Sequence, residues 1–507
     1  MSTLKEKLLT RTTLISLTAS LLLTPSIQAQ AEPWVQAGDE RTRHHLQILA
    51  DSGKVKIPLT TWPLMWSGVK KGLDVIRVEE LSETELWSYR YLRHQLERSM
   101  RVAEASIRLH ANANPAYAFT DFSNDFREGH EARAALALNG NTFSIKLQGS
   151  YLNEPLSGTS SRYDGSYAAI TWSNWVLGVG AIERWWGPAW SGSTILGNNA
   201  RPAPGLFMQR KDTSGGTFGS WDINLFISDP ADDNFDEDAK FAGARLSYKP
   251  IRALEMSLSA TEILGSVREE EVQEVALSDE AELPAITIAT PDTETDIDAD
   301  TSETPPQIID IKQNNRMLSF DWRLSHAVKN IQLALYQQIS RRSAAEEEVF
   351  GGEEAELIGI EMGNMIAGLN SRFALEYQDT RNGELSIFDH SFYKSGYRHY
   401  GRNMATTIDT ASTSISLSAD HYFASGHQFS WRLGTAELND DNINLTPPAG
   451  HVYGPKSQSV DYASVTYKIP INNLVRTDLR LQHMSEAISF ADEEISSGGQ
   501  IVVNIEF

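Results

Sequence analysis

The sequence predicts an all-β transmembrane barrel of about 18 antiparallel strands, preceded by a small N-terminal α-helical bundle. Three observations carry that prediction. From about residue 103 the hydrophobic period is 2, in segments of about ten residues, the length a tilted strand needs to cross a bilayer. Traced back from Phe507, short and long connections alternate, as they do between the two ends of an outer-membrane barrel. The chain also starts on an export signal and stops on an aromatic residue.

The elements follow in order. Lys5, Lys7 and Arg11 precede a short apolar run from Thr12 to Leu23, and Ala29-Gln30-Ala31 has the small-x-small form of a cleavage site. Residues 1–31 are therefore expected to be a signal peptide, and the apolar run is too short to span as an anchor. Residues 32–101 are expected to form a periplasmic helical unit. Asp39 to Ser52 places Leu46, Leu49 and Ala50 on one face and stops at Gly53. Ser82-Glu83-Thr84-Glu85 has the form of a capping box, followed by Leu86, Tyr89, Leu92, Leu96 and Met100 at helical spacing. Between them, Pro58 and Pro63 keep Ile57 to Pro63 extended.

The barrel is expected over 102–507. Phe143, Ile145, Leu147 and Tyr151 alternate with polar residues, as do Leu318, Phe320, Trp322 and Leu324, and again Phe429, Trp431 and Leu433. The expected tight turns are 139–141, 173–174, 250–252, 327–329, 381–383, 424–426 and 471–473, with 211–219 a looser fit. The expected external loops are 113–130, 152–165, 185–204, 229–239, 264–316, 341–370, 392–410, 438–457 and 485–499. Ile501, Val503, Ile505 and Phe507 alternate to the end, a pattern that resembles the signal read by barrel-insertion machinery. The lipid bilayer of the outer membrane and that machinery are the expected partners, with the chain a monomer.

Composition excludes other classes. Lys and Arg number 44 against 67 Asp and Glu, a net charge of −23, which argues against wrapping nucleic acid. With no cysteine, disulfide scaffolds, thiolate metal sites and cysteine nucleophiles are excluded. Much of the negative charge sits in an extracellular insert at 266–312, which has four prolines and reads as disordered. Asp292 to Glu303 spaces acids as an EF-hand loop does, but Ile297 stands where the turn needs Gly, so no metal or other cofactor is expected. No Gly-x-Ser-x-Gly is present, and His44-His45, His421 and His427 lack metal-ligand company, so no catalytic residues are assigned.

The densest chemistry lies in one loop: Arg184, Trp185, Trp186 and Trp190, then Asn198, Asn199 and Arg201, with Arg210 beyond. Indoles offer flat apolar faces, and Arg and Asn directed donors, a mix that suits the C–H faces and hydroxyls of sugar rings. The same residues would equally serve to pack the loop into the barrel mouth. At this point Arg184-Trp185-Trp186-Gly187-Pro188 through Asn198-Asn199-Ala200-Arg201-Pro202 resembles the signature of the Wzi-type capsule assembly family. Pro58-Leu59-Thr60-Thr61-Trp62-Pro63 is similar to that family's helical-domain motif. The resemblance implies an 18-stranded outer-membrane barrel with a periplasmic bundle. It further implies lectin-like, non-catalytic binding of capsular or other extracellular polysaccharide, for which the eight residues named above are the candidate ligand-binding set. The competing expectation is a porin or transport channel for anionic or sugar solutes, with Lys146, Arg323 and Arg432 lining an open lumen.

Overall fold

A computed structural model describes residues 32–113, 119–123, 129–153, 155, 159–230, 239–264, 315–343, 353–366, 368–382, 387–389, 396–441, 457–490 and 493–507. The expected signal peptide and the whole acidic insert, with its EF-hand-like run, lie outside the described residues.

The alternation builds a closed wall. Among the described residues, eighteen antiparallel strands pair in chain order, and the last returns to the first. They are β1 (Ala103–Asn112), β2 (Glu131–Asn139), β3 (Phe143–Leu152), β4 (Tyr167–Trp172), β5 (Trp175–Gly180) and β6 (Gly205–Arg210). Then come β7 (Ser220–Ser228), β8 (Lys240–Lys249), β9 (Leu254–Leu264), β10 (Asn315–Val328), β11 (Ile331–Ser343) and β12 (Glu354–Ile366). The set ends with β13 (Leu369–Asn382), β14 (Thr413–Tyr422), β15 (Gln428–Leu438), β16 (Gln458–Pro470), β17 (Val475–Phe490) and β18 (Glu493–Glu506). On β10, Phe320 and Leu324 are exposed on the outer face while Asp321 and Arg323 are buried in the lumen. Because the side-chain period is 2, that one strand fixes the register of its neighbours.

Three connections differ from the sequence expectation. Residues 354–366, expected inside a loop, form β12, and β13 begins at Leu369 and runs through the turn expected at 381–383 as far as Asn382. The strand expected over 384–391 is absent among its described residues, where Ile387 and Phe388 are buried in the lumen instead. Two opposite errors kept the even count. The loop expected at 485–499 is mostly the facing arms of β17 and β18, whose outward side is polar there and so gave no apolar alternation.

An 18-stranded barrel is wide enough for an aqueous channel. Here the lumen is filled. Three helices, α1 (Glu40–Asp51), α2 (Trp66–Asp74) and α3 (Glu83–Ser99), occupy the short-turn end. Asp39 caps α1, and the Ser82/Glu85 capping box forms as expected. The buried face of α3 is Ser88, Leu92 and Leu96, rotated away from Leu86 and Met100. Helix α2 was not anticipated, since it is a short run between an extended segment and a turn. Helix α1 sits within the barrel mouth: Asp51 takes both guanidinium nitrogens of Arg323 at 2.6 and 2.7 Å, and Gln428 donates to Glu40 at 2.6 Å. His44 and His45 are buried there; His44 contacts Asn370 at 3.0 Å and stacks on Tyr422. Burial lowers the His44 pKa to about 4, so α1 inserts as a neutral, not cationic, histidine face.

Candidate functional site

The 24 residues between β5 and β6 do not stand outside the barrel as a free loop. They turn inward and meet the N-terminal extended segment. Trp185 and Trp186 pair antiparallel with Trp62 and Thr61, and the Gly187 N–H donates to the Thr60 carbonyl at 2.9 Å. The two motifs that carried the resemblance thus form one two-stranded ribbon inside the lumen.

The wall holds this ribbon through buried polar groups. Glu255 accepts from the amides of Leu59 and Thr60, each at 2.8 Å. Glu376 accepts from the amides of Trp190 and Ser191, each at 2.7 Å. Arg245 forms a bidentate pair with Asp321 at 2.7 and 3.0 Å while donating to the Thr60 carbonyl. Buried backbone groups away from secondary structure need such partners, and strand carboxylates supply them. These anchors were missed in the sequence. Their only signal was a charged residue at an inward position of an alternating strand, which a water-filled lumen would also explain.

The three tryptophans are buried, with 2, 0 and 3% exposure for Trp185, Trp186 and Trp190. Trp185 and Trp190 meet Phe122 edge-on at 5.4 and 5.7 Å. The Arg43 and Arg372 guanidiniums lie 4.0 and 3.8 Å from the Trp190 ring centre. Cations over an indole are favourable, and here they take the ring surface a sugar would need. Arg43, from α1, also donates to the Ala189 carbonyl at 2.9 Å, and burial pushes its guanidinium down to about 9.

Further along, the loop meets a second inward-folded segment, 396–412. Asn199 donates to the carbonyls of Asn403 and Thr406 at 2.8 and 3.0 Å, and Asn198 to that of Phe122 at 3.0 Å. Gly197 is needed at the crossing, because a Cβ there would collide with the Ala405 carbonyl. Arg201 forks onto Asp164 at 2.8 and 3.1 Å and lies over Tyr400. Arg210 does not join this group. It lies at the opposite, short-turn end, over Trp221 and bonded to the carbonyls of Trp221 and Ser214. The sequence order that put it near the loop runs the length of β6.

Arg184 differs from its neighbours. It is buried, stacks on Phe226 at 4.3 Å, and makes one hydrogen bond, to the Ile182 carbonyl at 3.2 Å. No carboxylate pairs with it among the described residues, and burial alone pushes its guanidinium down to about 9. It lines a cavity of about 40 Å³ at the long-loop end, together with Glu183, Asn198, Arg201 and His399. A buried cation without a counter-ion is costly, and a ligand anion would offset that cost.

The fold and this lumen define a plugged outer-membrane β-barrel. The model of the capsule assembly protein Wzi family matches residues 98–277 and 293–496, breaking inside the acidic insert, and the chain belongs to that family. A solved structure of an Escherichia coli outer-membrane protein, described as involved in group 1 capsule assembly and as a carbohydrate-binding β-barrel, superposes with TM-score 0.74. It shares 18% identity, over 93% of this chain and 99% of that one, which supports the fold. An uncharacterised 55.8 kDa protein from the cps region of Klebsiella pneumoniae is 26% identical over 261 residues, covering 48% of this chain. The chain spans about half the length (49%) of that relative.

Proposed function

We propose that the protein serves capsule assembly by holding capsular or other extracellular polysaccharide at the cell surface, in a lectin-like and non-catalytic way. In this reading the long-loop end is extracellular, the helical unit is periplasmic, and the chain works as a monomer. Phe507, exposed on the outer face at the end of β18, is the element offered to the insertion machinery. The single observation that carries the reading is Arg184, a buried guanidinium that no carboxylate pairs among the described residues, lining a cavity at the loop end with Glu183, Asn198 and Arg201. That arrangement suits a carboxylated sugar residue, and the family membership supplies the polysaccharide context.

The tryptophans take the loop-closing role in this account, and Arg184, Asn198 and Arg201 the recognition role. The channel reading is disfavoured by the same packing, since Arg323 is engaged by Asp51 and Glu361, and Arg432 by Asp121. Planar-bilayer conductance separates the two readings: stable large openings would favour a channel. The binding reading is tested by titrating isolated capsular polysaccharide into the detergent-solubilised protein. Arg184→Gln should weaken binding about tenfold or more, the scale of one charge-assisted contact.

A further inference from the structure

The barrel wall is shortest at β4, β5 and β6, which have six residues each, against 9 to 16 in the other strands. A six-residue strand rises about 20 Å, short of a hydrocarbon core of about 30 Å. Trp172 and Trp175 end β4 and begin β5 at the short-turn side, where indoles anchor to the membrane interface. With that end fixed, the leaflet on the long-loop side thins down to the rim of the wall. Its headgroups then meet the residues just above β4, β5 and β6.

Over these short strands the outer face is hollowed. A groove of about 700 Å³ runs across β3 to β7, and no polar residue lines it. Its size falls within the range of about 300–1,000 Å³ common in ligand sites. Register builds its upper row from Ile145, Ala168, Val179, Leu206 and Ile227, with Ala168 the one small side chain. A second row, from Phe143 to Leu225, lies beneath it. One residue above the upper row the strands end, at Gly180, Gly205 and Ser228, and two of these carry no side chain. Just past that rim the chain reaches Arg184 from Gly180 and Arg201 from Gly205, and both line the Arg184 cavity. The cavity backs onto the groove, because Phe226 lines both. The Arg184 guanidinium lies 4.3 Å from the Phe226 ring centre and 6.0 Å from that of Phe207, another groove residue.

We propose, resting on the Arg184 reading of function, that groove and cavity form one site for an outer-leaflet glycolipid. An acyl chain lies in the groove, and the acidic sugar headgroup reaches over the rim to Arg184. Charge selects this ligand over a neutral lipid, because Arg184 is buried and no carboxylate pairs with it among the described residues. Moving a chain from bilayer to groove gains little by itself, since lipid tails are as apolar as leucine. The chain acts instead as a tether that confines the headgroup beside the rim and raises its effective concentration at the cavity. A hollow of this shape suits a thin chain better than the convex wall of a second barrel.

The test places the full-length protein in phosphatidylcholine nanodiscs doped with glucuronosyl or glucosyl diacylglycerol and counts retained glycolipid by native mass spectrometry. The protein should retain the glucuronosyl lipid about tenfold over the glucosyl lipid, the scale of one charge-assisted contact. Arg184→Gln should erase that preference. Ala168→Trp and, separately, Val179→Trp fill the groove with apolar bulk facing lipid, so the wall still forms, and heat-modifiable migration checks both. Each should cut retention of the glucuronosyl lipid about tenfold, by removing the tether, and leave titration with lipid-free capsular polysaccharide unchanged. Equal retention of the two glycolipids would overturn the proposal, as an ordinary lipid-facing wall. Unchanged retention in both groove variants would do so too, as would a dimer that those variants dissociate, which would make the occupant a second copy. In each of these cases the Arg184 reading stands if Arg184→Gln still weakens the lipid-free polysaccharide. Unchanged polysaccharide binding in Arg184→Gln brings down both.

Discussion

The two faces of the same wall obey different rules. Outside, Leu147, Leu206, Leu258, Leu433 and Leu481 stand exposed, and any apolar residue of similar size would serve a lipid neighbour. Inside, Arg245, Glu255, Glu376 and Gln338 each hold a named backbone or side-chain group of the plug. The outer face is set by a pattern and the inner face by individual partners. Damage inside should therefore be specific and large, and damage outside general and graded by depth.

The largest effect is expected within the plug. Trp185→Ala or Trp186→Ala empties a fully enclosed indole site and should cost about 3–5 kcal/mol, read as a lowered thermal midpoint. Polysaccharide binding should fall only in proportion to unfolding. A stable Trp185→Ala protein with lost binding would move the indole back to the recognition surface.

Breaking one wall anchor should come close to that. Arg245→Met leaves Asp321 buried without its cation and should cost about 3–5 kcal/mol, whereas Arg245→Met with Asp321→Leu should recover much of it. A double-mutant cycle reads the difference, and simple additivity would mean the pair does not act as a unit.

On the outer face, Trp322→Arg should cost about 2–4 kcal/mol if the position lies near the midplane, less toward either interface. Trp322 is half-buried beside Gln337, to which its indole donates at 3.1 Å. Unchanged heat-modifiable migration of that variant would weaken the contrast between the faces. The smallest effect is expected for deletion of residues 270–308. Loop closure changes by only about 0.6 kcal/mol per doubling of length, so the barrel should form as before. Failure to fold would show that the insert is structural.

The same contrast explains what could be read from the sequence. Alternation at Phe320, Trp322 and Leu324 is a repeated local signal, so the wall, its parity and its closure were legible. The capping box of α3 was legible because both partners lie within four residues. The inward path of 181–204 was not, because it depends on Thr60, Glu255 and Glu376, which lie far away in the chain. A tryptophan in a loop carries no sign of which way the loop turns. The strand at 354–366 was missed because charged Glu354, Glu356 and Glu361 interrupt it; Glu354 and Glu356 accept from Arg341 and Gln337 on the neighbouring β11, and Glu361 accepts from Arg323 on β10.

In the proposed reading the plug residues hold the fold and Arg184 meets an anionic ligand. That reading is tested most directly by measuring polysaccharide affinity and thermal midpoint together for Arg184→Gln. Removing a buried, uncompensated cation should leave the midpoint equal or raised, while affinity for acidic polysaccharide drops about tenfold or more. Unchanged affinity, or a loss of affinity accompanied by an equal loss of stability, would contradict it.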